Sequence, residues 1–252
     1  MPNAAITLIA YRGGAAEGPE NTCEAALATA ALRPPDGVSL AIEVDVRFSS
    51  DGVPVLLHDA ALERVTNGRG QVSETSLAGL RRLQVSAPNG GAPGRVPTLH
   101  ELLDAVPDLP LILDLHDPRA DLPGRVVSLL RDRSQNWSER IVIASENARH
   151  IAAVRSLAPE VSTSASSWEV LKRIGSGLLG LSAPRCPQLV WMVPERHHAV
   201  PILTPRFASA AAERGEAVWA WVAEDAPALR RFLRLGATGV FTPCPAAMLR
   251  AL

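Results

Sequence analysis

Only three cysteines occur in 252 residues: Cys23, Cys186 and Cys244. An odd number cannot all pair within the chain, and none has the close spacing of metal ligands, so a disulfide framework and a structural zinc site are both set aside. The same scarcity points to a reducing compartment, and a cytoplasmic location is the expectation; a chain trimmed of an export leader stays compatible with it. No apolar run approaches the length needed to cross a bilayer, and no charged segment followed by a long apolar stretch opens the chain, so stable membrane insertion is not expected. Basic blocks are missing too. The formal net charge is -1, and the arginines of `LRRL` and `LRRFLRL` sit among apolar residues at helical spacing, which reads as solvated helix faces. Such a chain lacks the electrostatic footprint of a nucleic-acid or anionic-lipid binder. There is no internal repeat and no low-complexity tail.

What is present is alternation. Apolar segments that read as strands, `AITLIA`, `LAIEVDV`, `LPLILDLH`, `RIVIAS`, `EVSTSA`, `QLVWMVP`, `AVWAWV` and `TGVFT`, are separated mostly by segments with apolar residues at helical spacing. Strands that are apolar throughout suit a parallel sheet buried on both faces. About eight repeats of strand and helix favour an α/β fold of the closed TIM (β/α)8 barrel type as a single domain over residues 1–252. A doubly wound sheet is the alternative for this pattern. It is disfavoured because `YRGGAAEG`, after the first strand, lacks the GxGxxG fingerprint of dinucleotide folds. The least regular part, at about residues 58–97, has turn glycines and a proline-rich approach to the next helix, and reads as an elaborated loop over one face.

Chemistry concentrates at strand ends. `AIEVDVR` sets Glu43 and Asp45 on one side of an otherwise apolar strand. Paired carboxylates are costly to bury without a cation or strong donors between them. A divalent-metal site is favoured over the plainer reading, a water-facing edge or an ion pair with Arg47. `LPLILDLHD` repeats the pattern with Asp114 and His116, so three acids from two neighbouring strands would form an open shell for a hard cation, Mg²⁺ or Ca²⁺. Taken alone, His116 fits an oriented structural histidine equally well. His58 ends the run `VPVLL` and precedes Asp59, which could hold one ring nitrogen while the other meets substrate.

These residues stand in an ordered series of segments: `AYRGGAAEGPENTCEAA`, `IEVDVRFSSDGVPVLLHDAALERVTNGRGQVSETSLAGL`, `VPTLHELL`, `LPLILDL`, `VWAWV` and `LGATGVFTPCP`. The series resembles the glycerophosphodiester phosphodiesterase family, whose members are TIM barrels that hydrolyse glycerophosphodiesters to glycerol 3-phosphate and an alcohol with a divalent cation. The resemblance implies that Glu43, Asp45 and Asp114 are metal ligands, that His58 is catalytic, and that Arg12 lies at the phosphate. It implies a small glycerophosphodiester as the partner and leaves the oligomeric state open. The `HRG…PENT` segment of the family is matched at Arg12, Gly13, Pro19, Glu20, Asn21 and Thr22, but its catalytic histidine is replaced by Tyr11.

Two further departures follow. The family's third ligand is usually a glutamate with a phosphate-contacting lysine two residues on, and here those positions are Asp114 and His116; Pro243 replaces the aspartate of the closing motif. His116 is therefore expected near the phosphate or in proton transfer, and Tyr11 as a hydrogen-bond donor or acid in place of the histidine. Glu20 is expected to steady Arg12, to meet substrate hydroxyls or the metal, or simply to begin a helix. Trp221 is expected to line the pocket, with Trp219 on the same side of its strand. The expected activity is metal-dependent phosphodiester hydrolysis; the alternatives are a related reaction on another phosphodiester and a binding protein without turnover.

Overall fold

The strand-like segments become eight short strands: β1 (Ile6–Ala10), β2 (Val38–Phe48), β3 (Leu111–Leu115), β4 (Ile141–Ala144), β5 (Ser162–Ser164), β6 (Leu189–Pro194), β7 (Ala217–Trp221) and β8 (Gly239–Thr242). Each pairs in parallel with its neighbour, and β8 returns to pair with β1, closing the barrel. The doubly wound alternative is thereby removed. The structure is a computed structural model that describes residues 6–133, 136–179 and 189–252; Cys186 lies outside them. Cys23 and Cys244 are free thiols. No helix among the described residues is long and apolar enough to cross a membrane.

Around the barrel run α1 (Cys23–Ala30), α2 (Leu99–Ala105), α3 (Leu122–Arg133), α4 (Ala148–Leu157), α5 (Ser167–Leu179), α6 (Pro205–Ala212), α7 (Ala226–Arg234) and α8 (Pro245–Leu249). Short polar side chains start several of them where the chain leaves a strand. Thr22 accepts the Ala25 N–H of α1, and Thr98 with Glu101 forms a reciprocal capping box on α2. The last helix, α8, is too short to show a helical period in the sequence. It is announced only by Pro245 at its first turn, where a missing N–H costs nothing.

Strand alternation divides the core in two. Ile42, Val44 and Val46 of β2 point outward and are fully buried with Leu111, Leu113 and α3's Val126 in the layer between barrel and helices. The other face points inward. Ile9, Ala41, Ile112, Val142, Trp219 and Phe241 fill the barrel's interior, so it is packed rather than open. Gly239 has no side chain where the Trp219 indole crosses it, and any Cβ there would collide with the ring. Because Ala41 and Ile112 point inward, Glu43, Asp45 and Asp114 must also do so, nearer the C-terminal ends of their strands.

The segment after β2 is ordered by its own small core. A strand at Pro54–Leu56 pairs antiparallel with the end of β2, and Val55, Leu57, Leu62, Val65, Leu80 and Val85 pack together. This satellite core gives His58 and Arg64 a rigid support at the C-terminal mouth.

Candidate active site

The register of β2 and β3 sets Asp45 directly beside Asp114. With Glu43 they offer carboxylate oxygens that all lie within 4.8 Å of one another. Glu43 and Asp45 are almost wholly buried, at 3% and 1% exposure, so they are not a water-facing edge. Nor is Arg47 their partner; its Nε donates instead to the His58 carbonyl at 2.7 Å, bracing the satellite segment. Burial, with the nearby charges of Asp45 and Asp114, pushes the Glu43 carboxyl well above the usual carboxylate range. Asp45 is raised as well, by burial and Asp114, against the pull of His116 and Arg12. One Asp114 oxygen, Oδ1, is buried with no hydrogen-bond partner. Three converging oxygen donors and an unsatisfied buried one fit a hard divalent cation.

The loop after β1 wraps this cluster. Arg12 adopts a left-handed conformation (φ 51°, ψ 37°), uncommon for a side chain of its size, and in it the Arg12 N–H donates to Glu43 Oε2 at 2.7 Å. Its guanidinium is engaged with protein groups. Nη1 donates to Glu20 at 3.2 Å and Nη2 to the Tyr11 hydroxyl at 2.8 Å, while Nε lies 3.3 Å from Asp45 Oδ2. Burial pushes the Tyr11 phenol up to about 12, with Arg12 opposing the shift. Burial thus favours the neutral phenol, a hydrogen-bonding group, over the phenolate.

Two histidines face the cluster from opposite segments. His58 Nδ1 lies 2.6 Å from Asp59 Oδ1, and the His58 and His116 rings are 4.6 Å apart between centroids. His116 Nε2 is 3.1 Å from Asp45 Oδ1 and 3.2 Å from Asp114 Oδ2. Burial disfavours its charge, but the hydrogen bond to Asp114 and the two carboxylates raise its pKa on balance.

Two residues outside the sequence-based site list complete the arrangement. Asn21, left-handed at φ 58°, donates through Nδ2 to Asp45 Oδ2 at 2.8 Å and accepts the Asp45 N–H at 2.9 Å. Its signal was its place in the matched `PENT` segment. Arg64 donates to both Glu20 oxygens, at 2.9 and 2.7 Å, and to Asp59 Oδ2. That contact holds Asp59 at a pKa of about 2. Glu20 is thus a bridge between Arg12 and Arg64, and Thr22 is the residue that begins α1. At Pro243, the carbonyl accepts the Ala16 N–H at 2.8 Å, and Glu17 receives the N–H groups of Ala246 and Ala247 at 2.9 Å each, so β8 and the first loop stay joined without an acid at 243. Trp219 is barrel core at 3% exposure; Trp221, two residues on, is 41% exposed at the mouth.

A (β/α)8 barrel with clustered carboxylates, two histidines and arginines at its C-terminal mouth has the architecture of a TIM-barrel enzyme site. Residues 12–247 match the glycerophosphoryl diester phosphodiesterase family, and the chain belongs to it. A glycerophosphodiester phosphodiesterase of Caldanaerobacter subterraneus is 26% identical over 250 residues, covering 96% of each chain. The glycerophosphoryl diester phosphodiesterase domain of a Mycobacterium tuberculosis protein superposes with a TM-score of 0.79 at 21% identity, over 97% of this chain and 98% of the other. A phosphodiesterase of Oleispira antarctica, solved in complex with the product sn-glycerol 3-phosphate, gives 0.75 at 21% identity, over 97% and 96%.

Proposed function

We propose that this protein hydrolyses glycerophosphodiesters to sn-glycerol 3-phosphate and an alcohol, using a Mg²⁺ or Ca²⁺ ion held by Glu43, Asp45 and Asp114. The observation that carries this reading is the convergence of those carboxylates within 4.8 Å beside His58 and His116, in a chain of this family. An oxygen-only donor set suits a hard cation, which when bound neutralises the phosphate and polarises its P–O bonds.

The chain's own groups then have distinct tasks. Asp59 holds His58 Nδ1, leaving Nε2 as the nitrogen that exchanges a proton with the attacking hydroxyl or the leaving alkoxide. His116, whose Nε2 lies beside Asp45 and Asp114, stands where the family places a lysine and serves at the phosphate or in proton transfer. Tyr11 accepts a hydrogen bond from Arg12, so its own O–H remains to donate to a phosphate oxygen. Glu20 and Arg64 hold Arg12 and Asp59 in register.

One observation favours the second reading, binding without turnover: with its pKa near 12, Tyr11 cannot accept the proton that a histidine could. Hydrolysis of glycerophosphocholine with added Mg²⁺ or Ca²⁺ separates the two. The enzyme reading expects cation-dependent turnover that His58→Ala lowers by about 10²–10⁴-fold. Cation-dependent affinity without turnover, with activity gained in Tyr11→His, supports the binding protein. Hydrolysis that ignores both chelator and His58→Ala overturns the site assignment.

A further inference from the structure

The carboxylates and histidines occupy the half of the mouth formed by β1 to β3. The other half, over the ends of β4 to β7, is a cavity of about 350 Å³. Its walls include Val170, Leu171, Met192, Ile202 and Trp221, and it begins at Ala144, the residue paired with Asp114 across the sheet. The cavity therefore adjoins the polar half. Among the described residues, the exposed large apolar side chains include Trp168, Leu171, Val200 and Trp221, at 62, 60, 51 and 41%. Leu171 and Trp221 line the cavity. Trp168 is in α5, which supplies Val170 and Leu171, and Val200 is in the hairpin between His197 and Ile202, both of which line it. The sequence showed no exposed-looking apolar segment, because these residues come together only through the fold.

We propose that this cavity receives an apolar ester arm of the phosphodiester, an alkyl or aryl alcohol, while the phosphate lies in the carboxylate and histidine half. The inference rests on the hydrolase reading above and specifies its substrate class. A phosphodiester has two arms, and the division of the mouth gives each half one kind of chemistry. At roughly 30 Å³ per methylene-sized group, a value close to that of a water molecule, the volume admits an arm of about ten carbons. A quaternary ammonium arm would call for an aromatic cage. Here, among the described residues, the lining holds one tryptophan, Trp221, and no tyrosine or phenylalanine; Ser145, Glu146, Ser164, Ser167 and His197 are its polar members among aliphatic side chains. The occupant is a monomeric amphiphile, because a cleft of this volume holds one chain.

The test is a series of sn-glycerol 3-phosphate esters of ethanol, butanol and octanol, each below its aggregation concentration, hydrolysed by the full chain with Mg²⁺. Glycerophosphocholine and the ester of the uncharged carbon isostere of choline complete the set. The expected result is a kcat/KM that rises up to about fourfold per methylene and prefers the isostere to choline. Met192→Glu is expected to flatten the series by about tenfold or more at the octyl ester. Leu171→Ser, at an exposed position that folding tolerates, is expected to do so more weakly. A flat series from an active protein, a preference for choline, or a rise that occurs only above the aggregation concentration overturns the inference and leaves the hydrolase reading intact. If no ester is cleaved, the hydrolase reading fails, and calorimetry with octyl phosphate against ethyl phosphate decides the cavity alone. Tighter octyl binding that Met192→Glu abolishes and Leu171→Ser weakens supports it, and equal affinities overturn it.

Discussion

Replacing Glu43 by glutamine deletes one charge from a cluster of three carboxylates, two of them buried, while keeping an oxygen for the Arg12 N–H. In the absence of a cation, that charge has no compensating group beyond this amide and the nearby guanidinium. The sign of the pH effect follows from the raised pKa. The folded chain retains the Glu43 proton to higher pH than the unfolded chain, whose glutamates titrate near ~4.3. Stability therefore falls as pH rises through that window and stays low above the folded value. Glu43→Gln removes the penalty. In chelator at neutral pH the variant is expected to be more stable by about 1–3 kcal/mol, the usual gain when a poorly compensated buried charge is neutralised at constant shape. For a chain of this length that is a rise in Tm of about 2–10 °C. Mg²⁺ should reverse the order. The unaltered protein gains about 2.7 kcal/mol at one hundred times its Kd, whereas the variant, short of a ligand, gains far less. Scanning calorimetry of both proteins between pH 5 and 8, with chelator or Mg²⁺, reads all of this. A variant less stable than the unaltered protein in chelator, or equal Mg²⁺ stabilisation of the two, would refute the argument.

Tyr11 is the single tyrosine of the chain, so near-ultraviolet absorbance reports its ionisation directly. The phenolate is expected with a midpoint of about 12, and a midpoint at or below ~10, the ordinary value, would show that burial does not raise it. Arg64→Ala frees Asp59 and one side of Glu20; turnover is expected to fall about 10–100-fold through kcat, and a change confined to KM would show that Arg64 acts on substrate and not on the orientation of His58. The Asp59 pKa of about 2 contributes stability that is present above its unfolded value, near ~3.9, and lost as pH falls through 2; Arg64→Ala should therefore shift acid unfolding to higher pH. Gly239→Ala forces a methyl group against the Trp219 ring and is expected to lower stability by about 1–3 kcal/mol in urea titration.

Periodicity specified about eight alternating strands and helices, because each strand must bury an outward face under helices and each helix must present an apolar stripe to it; the missing dinucleotide fingerprint and the family resemblance chose the closed barrel over the doubly wound sheet. Periodicity likewise specified that Glu43 and Asp45, and then Asp114 and His116, share one side of their strands, since alternation is a property of the backbone; that this side faces the barrel interior was decided by the fold. What alternation could not supply was proximity between distant segments. Asn21 meets Asp45 across 24 positions, and Arg64 meets Glu20 across 44; these contacts exist because a loop after β1 and a satellite core after β2 are both folded over one mouth. The sequence showed Tyr11 where a histidine was expected, but its raised pKa depends on burial among groups from two strands. The apolar half of the mouth was invisible for the same reason. Trp221 was expected at the pocket, but Leu171, Met192 and Ile202 are unremarkable in their own segments and join it in one wall only when barrel closure brings the ends of β4 to β7 round to face the carboxylates.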